Sequence, residues 1–218
     1  MENLTQLLLE ELKDLYSAEK QIVKALPKII RGAASAELKQ AISEHLEVTK
    51  AQVTRLDEVF GHLDEKPRAK HCKGMEGLLA EGAECLEEED AGPLRDLQLI
   101  GAAQRVEHYE VAAYGTAKTI AEKLGLSDAA ELLGATLAEE EEADQTLSQV
   151  AEGLYDEVGQ QDEDEEGGDE EGEDGEGEDE EEADDQSMTA RRSRSSQQKG
   201  PAKKKAPAKK KMSSREGR

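Results

Sequence analysis

The chain has 218 residues and a formal charge of −24, and that charge is spread unevenly enough to divide it into three segments. Residues 1–158 carry 33 acidic and 16 basic side chains on regular apolar spacing, the pattern of one globular domain with a continuous core. No run of about 18 apolar residues exists and "MENLTQLLLEELKD" breaks its apolar stretch with acids, which argues against a membrane span or a secretory leader and predicts a cytoplasmic protein.

Helical periodicity dominates residues 1–158, and aromatic and β-branched residues are too sparse for a sheet, so the fold class is all-α. The first helix is expected from about Leu4 to Ile30, with Leu8, Leu12, Leu15, Ile22 and Leu26 on one stripe and Pro27 kinking or ending it. A second follows Ser35, a suitable N-cap, and carries Leu38, Ile42, Thr49, Val53, Leu56 and Phe60 as far as Gly61. Residues 62–93 form a long connection with a short helix near 74–88. This segment also holds Cys72 and Cys85, read as free, half-buried thiols in a reducing compartment; His71 beside Cys72 makes no recognised metal spacing. The third helix starts at Pro93, favoured in a first turn, and runs to about Leu124 before Gly125. The fourth follows Ser127 through Leu133, Leu137, Leu147, Val150 and Leu154. Four long helices joined short, long, short have the connectivity of a ferritin-like four-helix bundle with one long crossover.

The remaining segments have a different composition. Residues 159–185 hold 18 Asp or Glu, no Lys or Arg and repeated Gly, which predicts a disordered acidic linker. Residues 186–218 hold 12 Lys or Arg against Glu216 alone and include "AKKKAPAKKK", which predicts a disordered basic tail. The acidic block reads as a solubilising linker, with loose collection of Fe(II) or pairing with the basic tail as the other readings. Lys triplets spaced by Ala and Pro resemble the tails of histone-like proteins, so residues 191–218 are a candidate for DNA binding without sequence preference and with strong salt dependence.

Polar residues fall inside the apolar stripes at one level of each long helix. At about 100 degrees per residue, Glu19 lies within about 40 degrees of Leu8, Leu12, Leu15 and Leu26. His45 keeps the same company with Leu38, Thr49, Gln52 and Leu56. Glu107, Glu110 and Tyr114 share a face with Ile100 and Ala103, while His108 points elsewhere; Glu140 sits among Leu133, Leu137 and Leu147, with Asp144 one turn on. A single such carboxylate is ordinarily at a stripe's edge with its head in water, and a single inward His is ordinarily a hydrogen-bonded core residue. Five carboxylates converging on one interior would each lose hydration and repel, costing several kcal/mol per ion unless cationic partners compensate. The inward stripes carry no Lys or Arg at this level, so metal cations are expected. Oxygen-rich ligation with one imidazole suits iron or manganese better than zinc.

The segments "ELKDLYSAEKQIVKALPKI", "HLEVTKAQVTRLDEVFG", "KGMEGLLAEG", "AAQRVEHYEVAAYGTA" and "LLGATLAEEEEADQTL" resemble the YciE/YciF family of ferritin-like proteins over residues 3 to about 155. The resemblance implies a homodimeric four-helix domain in bacterial stress-linked proteins whose naming points to ferroxidase activity. It implies two Fe ions, with Mn the other candidate, on Glu19, His45, Glu107, Glu110, Glu140 and Asp144. Tyr114, Thr49 and Gln52 are candidate supports for those ligands. The chain departs from the usual paired Glu-x-x-His pattern: Ile42 stands three before His45, Glu110 three after Glu107 and Ala143 three after Glu140. Two functions are therefore expected to compete: a di-iron oxidoreductase consuming Fe(II) and oxidant, and a non-catalytic stress or nucleoid-associated scaffold that binds DNA through its tail.

Overall fold

The computed structural model describes residues 3–88 and 91–166; the acidic block beyond Glu166 and the basic tail lie outside the described residues. Among the described residues there are five helices and no strand: α1 (Leu4–Gly32), α2 (Ala36–His62), α3 (Lys73–Glu88), α4 (Pro93–Lys123) and α5 (Ser127–Glu166). The ends follow local chemistry. Asn3 caps α1 by accepting from the Gln6 amide, and Ser35 caps α2 by accepting from the Leu38 amide. Pro93 opens α4, and Gly125 takes the left-handed conformation (φ 74°) just past its end.

Two boundaries differ from the sequence expectation. α1, expected to reach about Ile30, runs two residues farther to Gly32 with Pro27 inside it, and Ile29 and Ala33 at its end are buried in the core. α5 runs past Val158 to Glu166, eight residues into the acidic block.

α1 packs on α2, α2 on α5, α5 on α4 and α4 on α1, so the four long helices close a cycle; α3 lies against α1 and α4. The start of α4 is fixed to the α1–α2 turn by two side chains. Asp96, fully buried, accepts from the amides of Ala34 (2.9 Å) and Ser35, and Arg95 donates to the Gly32 carbonyl. α4 therefore runs antiparallel to α1. Gly32 lets α3 approach closely at this junction: a Cβ there would come within 2.3 Å of Leu86 Cδ2, so a larger residue would require that side chain to move.

The interior contains two apolar clusters. One gathers Ile22, Leu26, Leu38, Ile42, Leu99, Ile100, Val106, Leu147 and Val150; the other gathers Leu8, Leu12, Leu15, Leu56, Phe60, Tyr114, Ile120 and Leu133. Each long helix passes from one cluster to the other, and at the crossing it presents a polar side chain. Because the fully buried Asp96 carboxyl ties the start of α4 to two amides of the α1–α2 turn, Asp96→Ala is expected to lower unfolding free energy by about 2–4 kcal/mol in a denaturant titration, whereas a surface control such as Asp57→Ala stays within about 0.5 kcal/mol.

Candidate metal centre

Glu19 of α1, Glu107 and Glu110 of α4 and Glu140 of α5 meet between the two apolar clusters, with exposures of 0, 3, 1 and 0%. His45 of α2 completes the group and keeps slight contact with solvent. Its Nε2 lies 3.5 Å from Glu107 Oε1 and 4.0 Å from Glu140 Oε2, and ligand atoms of these three residues fall within 4.8 Å of one another.

The hydrogen-bonding of this layer is incomplete in a consistent way. Tyr114, fully buried, donates to Glu19 Oε1, and Gln52 donates to Glu140 Oε1. Yet Glu19 Oε2, Glu107 Oε2, Glu110 Oε1, Glu140 Oε2 and His45 Nε2 are buried without a hydrogen-bond partner. A buried polar atom left unpaired costs about 1–3 kcal/mol, and here five of them, one from each side chain, share one site. Four carboxyl groups and an imidazole with free lone pairs form the donor set of an oxygen-rich metal site, so these residues fit divalent iron or manganese.

Without a cation, protons supply the charge balance. Burial pushes Glu19, Glu107 and Glu110 well above the ordinary carboxylate range, and neighbouring carboxylates reinforce it: Glu140 and Glu139 around Glu19, Glu140 and Glu19 around Glu107, Glu19 and Glu140 around Glu110. Glu140 is also raised by burial, partly offset by its bonds with Glu107 and Gln52. Burial lowers His45 to about 4, so its imidazole is neutral and competent to bind a cation at neutral pH.

Most sequence-predicted residues are brought together; Asp144 is not. It lies one turn beyond Glu140 toward the rim, accepts from Gln104 (3.1 Å) and sits 3.4 Å from His108 Nε2, with its side chain about a quarter exposed. His108 is exposed, as the helical geometry required. Thr49 is buried, but its hydroxyl donates to the His45 carbonyl (2.8 Å) and so returns to its own helix. The expectation that no cation stands at this level needs correction. Arg55 grips Glu139 with two bonds of 2.7 and 2.8 Å and also donates to Thr136. Burial alone would raise Glu139, but Arg55 and Gln52 outweigh it and hold the carboxyl below the ordinary range. Glu139 is therefore charged and paired, and Arg55 is committed to it. Neither was found from sequence, because "EEEE" gives no sign of which glutamate meets a cation from another helix. Tyr109 turns to the other side, donating to Asp14 (2.5 Å) with Cys72 Sγ 3.0 Å away. Cys72 and Cys85 are free thiols, the first buried and the second half-buried.

The proton inventory fixes a pH dependence. The four carboxyls keep protons in the folded chain that the unfolded chain releases above its ordinary carboxylate pKa, so metal-free stability falls as pH rises from about 5 to 8. His45 acts oppositely, adding stability as pH rises from about 4 to 6.5, but one imidazole does not offset four carboxyls. A melting temperature of the chelator-treated protein that rises steadily across pH 5–8 contradicts this assignment. Addition of Mn(II) at pH 7 is expected to release protons, measurable by dye in weak buffer.

A family model described as Domain of unknown function (DUF892) matches residues 3–159. Protein YciF of Escherichia coli strain K12 is 43% identical over 152 residues, spanning 69% of this chain and 92% of that protein. The crystal structure of the E. coli stress protein YciF superposes with a TM-score of 0.70 at 41% identity, covering 72% of this chain and 99% of that one. YcfI from Rhodopseudomonas palustris gives 0.66 at 41% identity over 67% and 94% of the two chains. A Xanthomonas campestris protein, 21% identical with a TM-score of 0.61 over 74% of this chain and 99% of that one, shares the fold. By the extent of the family match and the identity to YciF, the chain belongs to the DUF892 family of YciF-like proteins.

Proposed function

We propose that this chain is a ferritin-like four-helix protein that holds two divalent metal ions, iron foremost, in its polar layer and oxidises Fe(II) with dioxygen or peroxide during bacterial stress. The observation that carries this reading is the convergence of five buried, unpartnered lone-pair atoms from four helices. The closed cycle of long helices around them and the stress-protein description of E. coli YciF support it.

His45, Glu107 and Glu140 would hold one ion, and Glu19 and Glu110 would contribute to the second. Asp144 is left out because it is committed to Gln104 and His108 at the rim. Iron bound there supplies the electrons that the oxidant takes up. The protein's own groups do the rest. The carboxyls release their protons as cations arrive, and their negative charge then favours the ferric state. Tyr114 and Gln52 keep Glu19 and Glu140 from rotating, and Arg55 draws Glu139 aside. The apolar clusters above and below exclude bulk water from the layer.

Purified protein reconstituted anaerobically is expected to bind about two Fe(II) per chain and to oxidise them when air is admitted. Glu107→Ala should slow that oxidation at least tenfold while leaving the helical circular dichroism intact; a variant as fast as the parent contradicts the assignment.

The Lys triplets at 203–205 and 209–211 favour a second reading, in which a dimeric scaffold binds DNA through its tail. Full-length protein should then be retained on DNA-cellulose at low salt and released steeply as salt rises, and removal of residues 186–218 should abolish retention. Absence of retention at low salt removes this reading.

A further inference from the structure

Beside the polar layer, a cavity of about 240 Å³ opens between α2 and α5. Its inner wall is apolar and buried, formed by Leu26, Ile42 and Leu147, and the small side chains Ala41, Ala103 and Ala143 leave its width clear. Exposed Glu44 and Glu142 stand among its outer lining residues. His45 and Glu107 also line it, and each has a buried atom without a hydrogen-bond partner; Glu107 is 97% withdrawn from solvent.

We infer that this cavity binds a small, neutral, apolar molecule of about one-ring size that carries a hydroxyl group, with the hydroxyl at the Glu107 and His45 end. The volume fits: a dry apolar cavity of about 150 Å³ already accommodates benzene, so 240 Å³ takes a ring with a short substituent. Apolar walls with a few convergent polar atoms are the usual form of a small-molecule site. The polar end sets the head group. The unpartnered His45 Nε2 and Glu107 carboxyl can pair with a hydroxyl, which both donates and accepts, and a pure hydrocarbon would leave them as they are. Glu139, Glu44 and Glu142 line the cavity and oppose an anionic head. The inference adds a ligand class to the centre proposed above, and rests on that reading only for what the molecule would meet in metal-loaded protein; the metal-free chain tests it alone.

The probes are 4-ethylphenol, ethylbenzene and 4-ethylbenzoate, titrated into the full-length chain after chelator treatment and followed by calorimetry and ligand-observed NMR. The phenol should bind saturably at one site, the hydrocarbon at least tenfold more weakly, and the benzoate not at all. Ala143→Leu and Ala41→Leu, which fill the cavity from two helices, should each abolish phenol binding while keeping the parent's melting temperature and metal uptake. Absence of saturable phenol binding, equal binding of phenol and hydrocarbon, binding of the benzoate, or phenol binding unchanged in both filled variants would each overturn the proposal. Protein that takes up metal but no phenol overturns this inference alone; protein that takes up phenol but no metal overturns the metal reading and leaves this one standing.

Discussion

Four carboxyl groups with almost no exposure share one layer of the interior, and each leaves an oxygen unbonded there. Taking an ionised carboxylate out of water costs several kcal/mol even after relaxation, and placing four together adds mutual repulsion. No folded protein holds them charged without compensation, so protons or cations must occupy the layer. The two apolar clusters on either side close it off, and the four long helices converge on it.

Asp96 gives an internal comparison. It is also fully buried, but two backbone amides of the α1–α2 turn meet its oxygens, and it joins two elements of the fold. Glu139 shows a second solution, a two-point bond to Arg55. The same protein thus satisfies buried or half-buried carboxyls fully when their role is structural. Glu19 and Glu140 instead receive partial support, Tyr114 fixing one oxygen of the first and Gln52 one oxygen of the second, while an oxygen of each of Glu19, Glu107, Glu110 and Glu140 stays free. Under the metal reading proposed above, one oxygen held and one offered would orient Glu19 and Glu140 before a cation arrives.

Much of this arrangement is legible in the sequence because a helix projects its residues at a fixed angle. Apolar stripes define an inward direction, and Glu19, His45, Glu107, Glu110 and Glu140 lie along it, so both their burial and their common level follow from spacing. Angle alone does not place Asp144, which shares Glu140's face but stands one turn farther along α5, where Gln104 and His108 are within reach. The Arg55–Glu139 pair is also hidden, since it joins residues 84 positions apart on different helices. Pro27 reads locally as a kink or an end, and α1 continues through it to Gly32, where Ile29 and Ala33 are buried in the core. Family membership follows from the matching segments; the metal reading follows from the layer.

The most direct test is crystallographic. Crystals of the full-length protein grown anaerobically with Fe(II) should show anomalous difference peaks at the iron absorption edge, bounded by Glu19, His45, Glu107, Glu110 and Glu140, and those peaks should vanish in Glu107→Ala. Well-diffracting crystals with no anomalous peak in that layer, or with iron held only at the rim by Asp144 and His108, would contradict the account.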